Sequence, residues 1–141
     1  MSQARHVAFG HSTSRFEFPP TISAPLRARR HTTAVLRGWR VGQEPLAVAE
    51  LLVSELVTNA VVHGAGDGEQ PVILELERDG PVLCVRVSDA SGSPPAPVRD
   101  VGTAENGRGL TIVAALSKEW GHQLLPGGGK TVWCELAVWG G

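Results

Sequence analysis

Three polar residues, each four positions from the next, lie in an otherwise apolar stretch of the chain. They are Glu55, Asn59 and His63, and the residues around them are mainly leucine, valine and alanine. Residues four apart share one face of an α-helix, so the three side chains are expected on one face. A glutamate near apolar walls has its pKa raised, which suits a general base, and an asparagine oxygen is a suitable ligand for magnesium.

The same spacing also describes a solvated helix. In that interpretation the polar stripe faces water and Thr58 belongs to it. His63, near the helix end, would then interact with the helix dipole and bond the last carbonyl groups. Spacing alone leaves both interpretations open.

A second candidate is Asp89, which ends the apolar segment 85–89 where a loop rich in Gly, Ser and Pro begins. A rigid strand end aims a side chain well, so binding groups often lie there. An ionised carboxylate only accepts hydrogen bonds, so Asp89 could bind the exocyclic amine of adenine and would disfavour the oxygen of guanine. The alternative is an Asx turn that caps the strand.

The third candidate is the segment Gly107-Arg108-Gly109-Leu110, where a loop opens into a predicted helix. Glycines allow backbone N–H groups to approach an anion, the helix N-terminus favours negative charge, and an arginine can bind phosphate directly. Helix capping and loop geometry explain the two glycines equally well.

The fourth is the segment 127–131, which contains three glycines followed by Lys130 and Thr131. This composition is typical of a hairpin turn that enters a strand. A phosphate-binding interpretation of Lys130 is weaker, because no helix follows it as a P-loop would require.

Hydrophobic periodicity predicts the elements that position these residues. Helices are expected at about 25–40, 44–63 and 107–119, and strands at 14–18, 71–78, 81–89, 120–125 and 131–139. Asp79-Gly80 is a hairpin signal, and residues 90–106 are expected to form a long loop. Because helices alternate with hairpins, we predict an α/β fold, specifically an α+β two-layer sandwich, with helices on one face of a mixed, largely antiparallel sheet. The residues of the third helix expected to face inward are Leu110, Val113, Ala114 and Leu116.

Composition indicates a single globular domain. The chain has 141 residues, of which 42% are hydrophobic and 19% charged, and we expect a flexible tail over 1–12 and a folded domain over 13–141. No run of 18 uncharged apolar residues and no secretory signal is visible, so a cytoplasmic location is expected. Cys84 and Cys134 lie in strand-like segments without metal-ligand spacing and are expected to be reduced core thiols.

Charge is unevenly distributed along the chain. The net charge is −1, but residues 1–40 carry seven arginines and one glutamate, a net +6, and the remainder carries a net −7. The overall charge argues against a nucleic-acid-binding protein. The asymmetry indicates either a surface for contacts within the molecule or with a partner, or two solvated faces.

In their order and spacing, the four candidate segments resemble the GHKL ATPases, whose ATP-binding domain has the Bergerat fold. The segment from Ser54 to Gly64 (SELVTNAVVHG) is similar to the N box of that family. The resemblance is greatest to the anti-sigma-factor serine kinases common in actinobacteria, and it covers about residues 14–139.

The resemblance implies a role for each candidate residue. Glu55 would be the general base that activates the attacking hydroxyl group, and Asn59 would coordinate magnesium held by the ATP phosphates. His63 would border the phosphate site, and Asp89 would bind the adenine amine. Thr131 would support Asp89 and a neighbouring water molecule.

The glycine segments would contact the nucleotide from the other side. Gly107, Arg108 and Gly109 would form the phosphate-side lid and the helix start, which continues into Leu110. After Asp89 the family has glycine at the second and fourth following positions, whereas this chain has Gly92 at the third. The adenine-side loop is therefore altered.

The function implied by the resemblance is that of an ATP-binding anti-sigma factor. Such a protein is a serine/threonine kinase that phosphorylates a serine of a small anti-sigma-factor antagonist and sequesters a sigma factor, with ATP and Mg²⁺ as cofactors. An exposed first strand and an arginine-rich helix would suit a homodimer. Neither nucleic acid nor a membrane is expected as a partner. The altered loop motivates an alternative, a non-catalytic partner-binding module of the same fold with weak or no nucleotide binding.

Overall fold

The computed structural model describes residues 11–64, 70–91 and 104–140 of the chain. Within these ranges lie three α-helices, one π-helical turn and five strands, in the predicted order. The elements are β1 (His11–Phe18), α1 (Ala24–Gly38), α2 (Gln43–Asn59), the π-helical turn (Ala60–Gly64), β2 (Val72–Asp79), β3 (Val82–Asp89), α3 (Ala104–Leu116), β4 (Glu119–Leu124) and β5 (Lys130–Ala137).

Two elements begin three residues earlier than the sequence predicts. β1 begins at His11 rather than at residue 14, because His11 and Ser12 pair with the last residues of β2. α3 begins at Ala104 rather than at residue 107, so residues 104–106 belong to a helix and not to the loop that the sequence predicts for them.

The strands form one sheet in the order β1-β2-β3-β5-β4. Every pairing among the described strands is antiparallel, so no parallel pair of the expected mixed sheet occurs there. In the β2–β3 hairpin Asp79 pairs with Val82, which makes Gly80 and Pro81 the two turn residues. Gly80 has a φ of 62°, a left-handed conformation that favours glycine.

The helices pack on one face of the sheet and form the core with it. Alternate residues of β3 (Leu83, Val85 and Val87) are buried on this face, as period-2 alternation predicts. They contribute to one cluster with the buried stripe of α2, which includes Leu52 and Leu56. Burial of each such side chain stabilises the folded state by roughly 1.5–3 kcal/mol. The predicted two-layer α+β architecture is confirmed.

The apolar character of α2 follows from this packing. The helical segment Gln43–Val62 is long and apolar enough to cross a membrane by length and composition, with a mean hydropathy of 1.6. Its apolar residues nevertheless form a stripe against the sheet, where Val53 and Val57 are fully buried. A central core helix has the same composition for this reason.

The other face of the sheet carries polar side chains that bond to one another. Nε2 of His11 lies 2.5 Å from the Glu77 carboxylate, and Nη1 of Arg86 donates to the other oxygen of Glu77 at 2.9 Å. Arg86 also lies 3.5 Å from Glu75. We call these four residues the open-face ladder.

The two cysteines are free and lie on opposite faces of the sheet. Burial is the main cause that raises the pKa of Cys84 to about 11 and that of Cys134 to about 12. Both groups are therefore thiols rather than reactive thiolates at neutral pH. Cys134 lies in the core as predicted, whereas Cys84 is half-buried on the open face and not a core residue.

Candidate functional site

Glu55 and Asn59 lie on one face of α2, because the α-helix is continuous from Gln43 to Asn59. Asn59 is 8% exposed, and its Nδ2 is buried without a hydrogen-bond partner among the described residues. An unsatisfied buried amide costs about 1–3 kcal/mol. This cost marks the end of α2 as a place where a polar ligand would be stabilised.

Glu55 lies one turn before Asn59 and is half-buried. Desolvation by burial raises the pKa of its carboxyl group above the ordinary glutamate value. A raised pKa makes a carboxylate a better proton acceptor near neutral pH. The environment of Glu55 therefore has the electrostatic character expected of a general base.

The helix changes type directly after Asn59. The N–H of Ala60 is shared between the carbonyl groups of Leu56 and Val57, and Ala60–Gly64 forms the π-helical turn. Single π-helical turns are rare and occur frequently at functional sites. The main chain of His63 belongs to this turn, whereas its side chain lies outside the described part of the structure, so its predicted role stays a prediction.

Asp89 ends β3 on the helix-covered face and is 6% exposed. Its Oδ1 accepts the backbone N–H of Ser91 at 2.9 Å. This is the Asx-type turn that the sequence left as an alternative. Its Oδ2 is buried and has no hydrogen bond of good geometry among the described residues, but it forms an ion pair with the Lys130 ammonium group.

Lys130 is the side chain that faces Asp89. It starts β5 directly opposite Asp89 in the register, and its side chain is fully buried. Its Nζ donates to Oδ1 of Asp89 at 3.1 Å and lies 3.0 Å from Oδ2. Desolvation is the main cause that raises the pKa of Asp89, and the Lys130 and Ser91 hydrogen bonds oppose it.

Gly129 makes this close approach possible. Its φ is 89°, and a Cβ at this position would lie 2.4 Å from the carbonyl oxygen of Asp89. A side chain is therefore excluded both by the backbone conformation and by contact with β3. The glycine run before Lys130 is a turn, as predicted, but a turn that brings the lysine against Asp89.

The resemblance implies that Thr131 supports Asp89, but the structure places Thr131 elsewhere. Its hydroxyl group is 2.7 Å from the hydroxyl group of Ser88, on the opposite face of the sheet from Asp89. Successive strand residues alternate between faces, so only one of Lys130 and Thr131 can face Asp89. The one that does is Lys130, which continues the buried row of Val132 and Cys134.

Asn59 and Asp89 lie at the same end of the molecule. At the other end, Pro45 and Val48 of α2 line a cavity of about 380 Å³ together with Leu136 at the end of β5. α2 has 17 residues, or about 25 Å, and runs from the end of β5 towards its start. Because β3 is antiparallel to β5, the end of α2 lies towards Asp89, and β3 contacts the π-helical turn.

A cavity of about 590 Å³ adjoins the end of β3. Its lining includes Asp89 itself, together with Ile73 and Ser88 of the open face of the sheet and Leu125 and Gly127 of the β4–β5 turn. The cavity therefore adjoins Asp89, mainly from the open face of the sheet.

The glycine-arginine segment lies within α3. This helix begins at Ala104. The segment Gly107-Arg108-Gly109 therefore lies within its first two turns and does not form its first residues. Their side-chain environment lies outside the described part of the structure, as does Gly92 altogether. Leu110 is 3% exposed and packs inward.

Comparison with known proteins agrees with this architecture. The family model of the histidine kinase-like ATPase domain matches residues 18–135. No curated protein matches the chain.

Among solved structures, the chain is similar to the RsbU and RsbW domains of Rv1364c from Mycobacterium tuberculosis, with a TM-score of 0.70 and 21% sequence identity. The match covers 90% of this chain and 32% of that one, so the present chain corresponds to only part of the longer protein. This likeness shows the fold. The GHKL resemblance is thus confirmed for family and fold, and the chain belongs to the histidine kinase-like ATPase domain family.

Proposed function

We propose that this domain is an ATP-binding anti-sigma factor with serine/threonine kinase activity. It would phosphorylate a serine of a small anti-sigma-factor antagonist and sequester a sigma factor in the cytoplasm. The observation that carries the proposal is the buried Nδ2 of Asn59, which has no hydrogen-bond partner among the described residues, at the same end of a histidine kinase-like ATPase domain as the buried carboxylate of Asp89.

The donor set at this end fits a magnesium nucleotide. The amide of Asn59 offers an oxygen ligand for Mg²⁺ in one orientation and an N–H donor for a phosphate oxygen in the other. Asp89 offers an acceptor for an exocyclic amine. ATP with Mg²⁺ would supply an activated phosphoryl group whose charge the metal partly neutralises.

Glu55 is proposed as the general base. It would accept the proton of the serine hydroxyl as the serine oxygen bonds to the γ-phosphorus and ADP leaves. Its raised pKa supports this role. The position one helical turn from Asn59 would bring the base close to the phosphate end of the site.

The remaining phosphate contacts are assigned by the family resemblance. His63 would border the phosphates, and Arg108 would balance their charge. Gly107 and Gly109 would allow backbone N–H groups to approach the phosphates. Leu110 would hold α3 in place, because its side chain is buried. Gly92 would belong to the adenine-side loop.

The partner surface is proposed on β1 and α1. Among the described strands, β1 lies at an edge of the sheet and pairs only with β2, which suits addition of a strand from a second copy. α1 contains no acidic residue, and its arginines, among them Arg29, Arg30 and Arg37, are exposed. Such a face fits a homodimer contact or an acidic surface of the antagonist or sigma factor.

The direct test is transfer of the γ-phosphate of ATP to candidate antagonist proteins. We expect labelled phosphoserine on an antagonist with the wild-type chain, and none when its acceptor serine is replaced by alanine. Sigma-factor capture should be measured separately, because binding and phosphotransfer can be lost independently.

One observation favours the non-catalytic alternative. Lys130 already pairs with the carboxylate that would recognise adenine, which is consistent with weak nucleotide binding. A chain that binds a sigma factor but shows no heat of binding with millimolar MgATP would establish that alternative.

A further inference from the structure

The ammonium group of Lys130 donates to the carboxylate of Asp89, where the adenine base of a bound nucleotide would also donate. An ammonium group and the 6-amino group of adenine both donate N–H hydrogen bonds to a carboxylate. The Nζ of Lys130 lies 3.1 Å from Oδ1 and 3.0 Å from Oδ2 of Asp89. The ammonium group thus engages both oxygens of the carboxylate.

We propose that Lys130 is a specificity-determining residue of the nucleotide site: it satisfies Asp89 in place of the adenine amine, so the site discriminates weakly among purines. This inference rests on the proposed function, because it assigns the base-recognition end of the same site. It concerns selectivity for the base and not the chemistry at the phosphates.

The Asp89 carboxylate already has three polar contacts. Oδ1 already accepts from Lys130 and from the N–H of Ser91. An amine that approached Oδ2 would meet the positively charged Nζ at hydrogen-bond distance from the same oxygen. The ammonium group already offsets the negative charge of the carboxylate, so the neutral amine gains less from Asp89 than it would from a free carboxylate.

The contact is built into the fold. The antiparallel register sets Asp89 opposite Lys130, and the side chain of the lysine is fully buried. Gly129, where a Cβ would clash with the Asp89 carbonyl oxygen, delivers the lysine to this position. A buried ammonium is costly unless it is paired, so Lys130 is held on Asp89 rather than free to swing away.

The test compares two nucleotides that differ only in the 6-amino group, ATP and purine riboside triphosphate. Calorimetry gives the ratio of their dissociation constants for the wild-type chain, Lys130→Met and the matched control Lys118→Met. Lys118 is the other lysine of the chain and is exposed. We expect a preference for ATP below about threefold in the wild type and in the control, and of at least about tenfold in Lys130→Met, the typical worth of a hydrogen bond to a charged group.

Each outcome decides the proposal. A wild-type preference for ATP above about threefold overturns it without any variant, which matters if Lys130→Met does not fold. A folded Lys130→Met protein that still fails to prefer ATP also overturns it. Binding of ATP by Lys130→Met alone supports it. If neither protein binds either nucleotide, the proposed function itself fails, and this inference fails with it.

Discussion

The polar side chains on the two faces of the sheet differ in burial and in hydrogen bonding. On the open face, polar side chains satisfy one another: Glu77 pairs with His11 and Arg86, and Ser88 bonds to Thr131. On the helix-covered face, near the Asp89 end of the sheet, the polar groups are buried, and Nδ2 of Asn59 has no hydrogen-bond partner among the described residues. The side chains of Arg86 and Glu77 are 33% and 22% exposed, whereas those of Lys130 and Asp89 are 0% and 2% exposed.

This difference distinguishes polar side chains that pair with one another within the fold from polar side chains that a bound ligand would pair with. Half-exposed ion pairs are solvated and contribute little to stability or to recognition. Buried polar groups without partners are destabilising and are usually retained for a reason. The helix-covered face, and not the more heavily charged open face, is therefore where the site is proposed.

The largest expected effect is on catalysis. Glu55→Gln should lower phosphotransfer to the antagonist by about 10²–10⁴-fold, because a general base contributes about that factor. The matched control is Glu44→Gln, an exposed residue in the first turn of the same helix, which should leave the rate unchanged. The wild-type rate should rise with pH through the raised pKa of Glu55, since only the ionised form accepts a proton. Unchanged phosphotransfer by the Glu55→Gln variant would remove Glu55 from the mechanism.

The next largest effect is a difference in the free energy of unfolding between substitutions on the two faces of the sheet. Lys130→Met should lower the free energy of unfolding by about 3–5 kcal/mol, because it leaves Asp89 as a buried unpaired charge. Arg86→Met on the open face should lower it by no more than about 1 kcal/mol. Urea denaturation at neutral pH measures both. Adding Asp89→Asn to Lys130→Met should restore most of the loss, and equal losses from the two single variants would contradict the comparison.

A smaller effect is expected at the turn before Lys130. Gly129→Ala should destabilise the fold by about 1–3 kcal/mol, because alanine is strained at positive φ and its Cβ meets the Asp89 carbonyl. Gly127→Ala is the matched control in the same turn, where nothing lies within 4 Å of an added Cβ. Thermal unfolding of the two variants should differ clearly, and similar midpoints would show that the close approach to β3 is unimportant.

The smallest effect tests the open-face ladder. The hydrogen bond from His11 is the largest cause that lowers the pKa of Glu77, with Arg86 contributing. The folded state thus binds fewer protons at Glu77 than the unfolded state, so this stabilisation is present above the unfolded pKa and is lost as the pH falls through the folded pKa. Glu77→Gln should flatten this acid dependence by no more than about 1 kcal/mol. An identical acid dependence of unfolding in the two proteins would exclude this contribution.

Element type and order could be predicted from the sequence because the spacing of hydrophobic residues reflects which face of an element is buried. The alternation in β3 and the stripe on α2 both follow from one covered face. Boundaries were less predictable: nothing in the polar sequence around His11 indicates that it pairs with β2. In α3, Leu110 and Val113 are buried as predicted, whereas Ala114 and Leu116 are exposed, since only a narrow stripe of this helix meets the core.

The candidate site was predictable where spacing within one element determines it. Glu55 and Asn59 share a face because a helix repeats every 3.6 residues. The pairing of Lys130 with Asp89 depends on the register of two strands, with the two residues 41 positions apart in sequence, and the local glycine pattern indicates only a turn. The alternation of Lys130 with Val132 and Cys134 was the available signal, because it places the lysine in a buried row.

The most direct test of the account is magnesium-dependent ATP binding measured by calorimetry. The wild-type chain should bind MgATP with a stoichiometry of one per chain, and the affinity should fall when magnesium is removed or when Asn59 is replaced by alanine. Absence of binding at millimolar MgATP, or binding unaffected by both changes, would contradict the assignment of this end of the sheet as a nucleotide site.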